Sequence, residues 1–157
     1  MIAAADPNLK TNGILARLPP QKLNLLIGEI TSLLMASRLH RGYQVRDIAD
    51  IVLPAVNVNQ FIIYRDGRRR PIAFVTWGRL SAEVEAAYLS GQAVLSESEL
   101  TSGDRLYFLD FIAPYGHARK VIRELRTKVF PDERGRAIRV SPSDRFVKRL
   151  RFRGAKV

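Results

Sequence analysis

The run Arg105-Leu106-Tyr107-Phe108-Leu109-Asp110-Phe111-Ile112 constrains the fold more than any other segment of the chain. It is almost continuously apolar and aromatic, and it lies between the turn Thr101-Ser102-Gly103-Asp104 and the break Pro114-Tyr115-Gly116. Such a run reads as a strand covered on both faces. The remaining chain must therefore supply two covering layers. A chain of 157 residues with 46% hydrophobic content closes one core, whereas division into two domains would leave both halves marginal. The expectation is one α/β domain.

The periodicities supply the layers. Residues 1–20 are polar, end in Pro19-Pro20 and read as a flexible N-terminal arm, with the folded domain over 21–157. From Lys22, the recurrence Leu23, Leu26, Ile27, Ile30, Leu33, Leu34 is one stripe of an amphipathic helix, and His40 falls just past its end. A second helical pattern, Val45, Ile48, Ile51, Val52, is expected to stop before Pro54. Gln60 to Arg65 and Ile72 to Trp77 are rich in β-formers. Asp66-Gly67 marks a turn between them, in a loop too long for a two-residue hairpin. Ser81 caps a helix with Glu83 and Glu85 in its first turn and Gly91 at its end. After the long apolar strand, a helix with Val121, Ile122, Leu125 and Val129 inward ends at Pro131. Arg136 to Val140 is a strand, and Arg145 to Arg153 is either a basic strand or a helix.

Charge and cysteine content narrow the function. The net charge is +11, and Arg134 to Lys156 carries nine basic residues against the single acid Asp144. A second basic cluster is Arg65, Arg68, Arg69, Arg70. Such a field attracts an acidic macromolecule, whether nucleic acid, an acidic carrier protein or an acidic polypeptide substrate, or else it is a solvated face. The absence of cysteine excludes disulfides, a thiol nucleophile and thiolate zinc sites. No stretch reaches the roughly 18 uninterrupted apolar residues of a membrane span, and the start lacks the pattern of a secretion signal. A cytoplasmic protein without a membrane span or a bound metal is expected.

With two histidines in the chain, His40 and Asp110 are the economical pair for acid–base chemistry. Strand alternation places Asp110 on one face with Leu106, Phe108 and Ile112, and Tyr107, Leu109 and Phe111 on the other. A carboxylate in that company must be neutralised, hydrogen-bonded or paired. Two readings stand: an ion pair with a core arginine, or a partnership with an imidazole whose tautomer it fixes. His40 either interacts with the last carbonyls of its helix or serves as a base, with Asp110 opposing the neighbouring Arg38 and Arg41. His117 is the rival base. Ser37 either caps the helix end or assists by hydrogen bonding.

Several segments together resemble one family. They are Ser37-x-Leu39-His40-Arg41, Val52-Leu53-Pro54-Ala55, Asn59-Gln60, Arg65-Asp66, Pro71-x-Ala73, Trp77 with Leu80-Ser81, Thr101-Ser102-Gly103-Asp104-Arg105, Asp110-x-Ile112-Ala113-Pro114-x-Gly116, Phe130-Pro131-Asp132-Glu133 and Arg136-Ala137-Ile138-Arg139-Val140. In this order they resemble the RTX toxin-activating lysine acyltransferases, over about residues 33 to 157. The resemblance implies a cytoplasmic enzyme that moves a fatty acyl chain from acyl–acyl carrier protein to internal lysines of a protoxin. It further implies homodimers, no bound cofactor, and a fold similar to the GCN5-related N-acyltransferases, with a mostly antiparallel sheet flanked by helices. The family's essential histidine matches His40 and its essential aspartate Asp110.

An acyl thioester is already activated, so the enzyme needs chiefly to position it, to deprotonate the lysine and to stabilise the oxyanion. Direct transfer with His40 as base and Asp110 orienting it is the favoured reading; an acyl-enzyme route on the imidazole is the alternative. Ser37, Tyr115, Gly116 and Arg139 are the candidate substrate-binding residues, the turn at Tyr115-Gly116 facing the donor's phosphodiester. Arg38, where the family often has proline, Ser141, where it is commonly acidic, and the long arm before Leu23 are departures. They bear on the protein substrate, which is either a toxin or another protein. The rival class is a small basic nucleic-acid-binding protein using Arg65 to Arg70 and the arginine-rich end.

Overall fold

A computed structural model describes residues 18–91, 94–140 and 147–157. Most of the arm expected over residues 1–20 lies outside them. Five strands form one sheet in sequence order: β1 (Phe61–Arg65), β2 (Pro71–Leu80), β3 (Arg105–Ile112), β4 (Arg134–Val140) and β5 (Val147–Arg153). All neighbours are antiparallel except β3 and β4, which run parallel. This is the expected mostly antiparallel sheet flanked by helices, and it is compatible with the expected similarity to the GCN5-related fold. The basic segment from Arg145 resolves as strand β5 in its described part.

One face of the sheet is covered by α1 (Pro20–Ala36), α3 (Leu53–Asn57), α4 (Ala82–Leu89) and α5 (Glu97–Leu100). Leu26, Ile30 and Leu33 of α1 meet Ile63 of β1, Phe74 of β2 and Ile112 of β3, while Leu80, Leu100 and Tyr107 close the other end of this layer. The opposite face is covered by α6 (Ala118–Glu124), whose Val121 packs with Leu125 on Val75, Leu106 and Phe108. Pro20 stands in the first turn of α1, where its missing N–H costs nothing. Ser81 accepts a hydrogen bond from the Val84 N–H, the cap that the sequence announced.

Pro54 does not end the second helix. The chain continues from α2 (Val45–Asp47) through a π-helical turn, Ile48–Val52, into α3, with Pro54 near the start of α3. The wider turn lets the Leu53 N–H reach the Ile48 carbonyl, so proline enters at a fresh helix start rather than within an unbroken ladder. Between β1 and β2, Asp66 organises the five-residue loop by accepting 2.9 Å hydrogen bonds from the Arg68 and Arg70 N–H groups on one oxygen. A hairpin thus forms without a two-residue turn.

The decisive irregularity is in β3. Val75 pairs with Phe111 and Trp77 with Phe108, so Thr76 alone stands opposite both Leu109 and Asp110. This β-bulge breaks the expected alternation. Phe108 and Phe111 pack on the same side, against the α6 layer, and Asp110 turns away from Leu106 and Phe108 toward the α1 layer that holds Ile112. The parallel pairing of β3 with β4 extends over Leu106–Phe108 and Gly135–Ala137 alone. Beyond it β3 continues with β2 and β4 with β5, and a gap opens between the two parallel strands.

Candidate active site

That gap is a cleft of about 780 Å³. Its walls are Phe108, Leu109 and Phe111 from β3, Ala137 from β4, Leu150 and Phe152 from β5, and Ile122 and Leu125 from the helix beneath. The turn Ser37–His40 closes one end. The lining is mainly apolar, with His40, Ser37, Arg38 and Arg151 as its polar groups. Ile122, expected inward, is 43% exposed because it faces this cleft rather than the core.

His40 is held by the tight turn that follows α1. Ser37 ends the helix in an extended conformation, its carbonyl accepting from the His40 and Arg41 N–H groups at 3.1 and 2.9 Å. The imidazole is buried, and its Nδ1 lies 2.8 Å from Ser37 Oγ. Its ring meets Tyr43 edge-on at 5.5 Å between centroids. Burial pushes the imidazole below its ordinary value, with the carboxylate of Asp110 opposing that shift.

Asp110 stands behind His40, outside the cleft wall. Its Oδ1 accepts from Tyr43 OH at 3.1 Å and its Oδ2 from Thr76 Oγ1 at 3.0 Å. Thr76 Oγ1 also receives the Asp110 N–H at 3.0 Å, so the bulge and the carboxylate share one anchor. Burial pushes the carboxyl above the usual range; the Thr76 hydrogen bond, the charge of His40 and the Tyr43 hydrogen bond hold it down. Burial likewise raises Tyr43, as does the adjacent Asp110. Among the described residues no arginine pairs with Asp110, and no hydrogen bond joins it directly to His40. The two interact through space and through Tyr43, which touches both.

The remaining expected residues are distributed as follows. Ser37 is at the site, bonded to the imidazole. Tyr115 and Gly116 lie on the exposed turn beside Pro114, where Gly116 adopts φ +82°, a conformation favouring glycine. Pro114 reaches the cleft wall and these two do not. Arg139 is in β4, with its side chain outside the described residues. His117 stands at the N-cap position of α6 without a side-chain capping bond and is not part of the wall. Tyr43 and Thr76 were missed by sequence reasoning. Tyr43 could be found as the aromatic three residues beyond His40 on a turn, whereas Thr76 gives no local signal because its role depends on strand register. Among the described residues, no group of three or more potential ligands could hold a metal, and no helix is long and apolar enough to cross a membrane.

The site is thus a buried imidazole opening onto an apolar cleft between parted parallel strands of an α/β fold, a shape with room for an apolar chain. The comparison with known proteins makes this specific. Residues 20–153 match the model of the RTX toxin acyltransferase family, and the chain belongs to that family. It is 41% identical over 133 residues to the RTX-I toxin-activating lysine-acyltransferase ApxIC of Actinobacillus pleuropneumoniae, covering 84% of this chain and 76% of the relative. It is 40% identical over 133 residues to the protein-lysine myristoyltransferase HlyC of Escherichia coli, with the same two coverages. The lysine-acyltransferase RtxC of Vibrio cholerae is 37% identical over 123 residues, 78% of this chain and 80% of the relative. The chain is thus an acyltransferase.

Proposed function

We propose that this enzyme takes a fatty acyl group from acyl–acyl carrier protein and places it on the ε-amino group of internal lysines of an RTX-type protoxin. The observation that carries the reading is His40 at the end of the apolar cleft, with its Nδ1 engaged by Ser37. An Nδ1–H donated to Ser37 Oγ leaves Nε2 free as the base. Because burial lowers its proton affinity, the imidazole is neutral near pH 7 and ready to accept. The lysine enters as its neutral amine and attacks the thioester carbonyl, His40 takes one N–H proton from the attacking nitrogen, and the tetrahedral intermediate expels the carrier's thiolate. The proton held on His40 then passes to that thiolate. No protein nucleophile is needed.

Asp110 and Tyr43 fix the setting of the imidazole and stabilise the imidazolium of the intermediate state. The cleft takes the acyl chain, an assignment that suits a family in which one relative is named for myristoyl transfer. On this reading the enzyme acts in the cytoplasm, where the carrier is made, and pairs with a second copy. The test is reconstitution with purified acyl–acyl carrier protein and a candidate protoxin, followed by mass spectrometry of the protoxin's lysines. Acyl-lysine formed by the wild type and absent with His40→Ala is the expected result. Carrier hydrolysis without any acyl-lysine would overturn the reading.

A further inference from the structure

The outer face of α6 and the π-helical turn after it, Leu125–Val129, carries Arg119, Ile122, Arg123, Arg126 and Thr127 at helical spacing. Together with Ala155 these residues line a shallow depression of about 260 Å³. Ile122 also lines the acyl cleft, so the depression and the cleft mouth share a wall. Arg119 and Arg123 are exposed, with no acid partner among the described residues. Arg126 is held by its Nε–H, which donates to the Arg153 carbonyl at 2.8 Å. The one acid of this helix stretch, Glu124, faces elsewhere and pairs with Lys128.

We propose that this arginine face docks an acidic amphipathic helix of the protein that delivers the acyl group, seating the carrier so that its thioester arm enters the cleft past Ile122. The proposal rests on the reading above that the donor is a carrier protein. Arg119 and Arg123 are one turn apart, and carboxylates three or four residues apart on a facing helix have the matching spacing of about 5–6 Å. The exposed Ile122, which lines the same depression as the two arginines, selects a protein partner, since a phosphodiester backbone offers an apolar side chain nothing to pack against. Rim charges of this kind act mainly on encounter and its salt dependence.

The experiment compares wild type with the double variant Arg119→Glu/Arg123→Glu, using acyl–acyl carrier protein and, in parallel, a small soluble acyl-pantetheine thioester. With the carrier, KM should rise about 10- to 100-fold in the variant while kcat stays within about twofold, and the wild-type KM should climb with ionic strength more steeply than the variant's. Transfer from the small thioester should be unchanged. An unchanged carrier KM overturns the proposal and leaves the donor reading standing. So does an equal KM rise with the small thioester, which would mean the arginines act on the cleft itself. A wild type that uses the small thioester but no acyl carrier sinks the donor reading and the docking face with it. Oligonucleotide binding lost in the variant, measured by fluorescence anisotropy, with carrier KM intact assigns the face to nucleic acid instead.

Discussion

On the proposed mechanism His40 must be neutral to accept a proton, and burial drives it below its ordinary value of 6.5. The acid limb of kcat/KM should therefore lie below pH 6.5. Asp110 opposes that shift, so Asp110→Asn should move the limb further toward acid, while a limb that moves toward alkali would show that the two groups are not coupled as described. Both hydroxyls now donate to the carboxylate, and an amide NH₂ in its place must face one of them. Asp110→Asn is accordingly expected to cost about 1–3 kcal/mol of stability as well as activity, measurable by urea unfolding. His40→Ala should lower kcat by about 10²–10⁴-fold, with the unfolding midpoint close to wild type. Both residues stood out in the sequence, His40 by composition and Asp110 as a charge within an apolar strand. Their connection did not, because Tyr43 and Thr76 join the site only through tertiary packing.

At the scale of elements, the bulge in β3 shows where pattern reading stops. A nearly continuous apolar run identified β3 itself and period-two alternation assigned its faces, yet one extra residue opposite Thr76 reverses which side Asp110 faces. That reversal separates the carboxylate from the cleft and leaves Phe108 and Phe111 together as its wall. Thr76 is fully buried and fixes the bulge through two hydrogen bonds to Asp110. Thr76→Val keeps the shape and loses both. Its expected effect is destabilisation of about 1–3 kcal/mol together with reduced transfer, read by thermal melting and by rate. Thr76→Ser, which restores the hydroxyl, should recover most of the rate; failure to recover would mean that packing rather than hydrogen bonding matters at this position. A comparable lesson comes from α4. Glu85, read from sequence as a favourable first-turn charge, is buried between Arg105 of β3 and Arg136 of β4. Burial opposes its charge, and the two guanidiniums outweigh that and hold it below the usual carboxylate range. Glu85 thereby clamps the parallel strands at the end where they still pair.

For the whole molecule, one design follows from that clamp: strands β3 and β4 are fastened near Leu106–Phe108 and released beyond, and five separate segments furnish the opened cleft. No local pattern encodes such a cavity, which explains why the class of reaction was legible in the sequence while the acyl chain length was not. The sequence left the segment from Arg145 to Arg153 open between strand and helix, and the place of Leu150, Arg151 and Phe152 in the cleft depends on pairing with β4. Ala137 is the small residue at the point where the strands part, opposite Leu150. Enlarging it fills cleft volume without touching His40, Ser37 or Asp110. Ala137→Leu should therefore discriminate by length: kcat/KM for a long saturated acyl chain should fall at least about tenfold relative to a short one, since each methylene excluded from an apolar site forfeits about 0.8 kcal/mol. Competition between two acyl–acyl carrier proteins in one reaction, scored by the mass added to the acceptor lysine, reads that ratio directly. Equal losses for both lengths would place the acyl chain outside this cleft and require another path for it to reach His40.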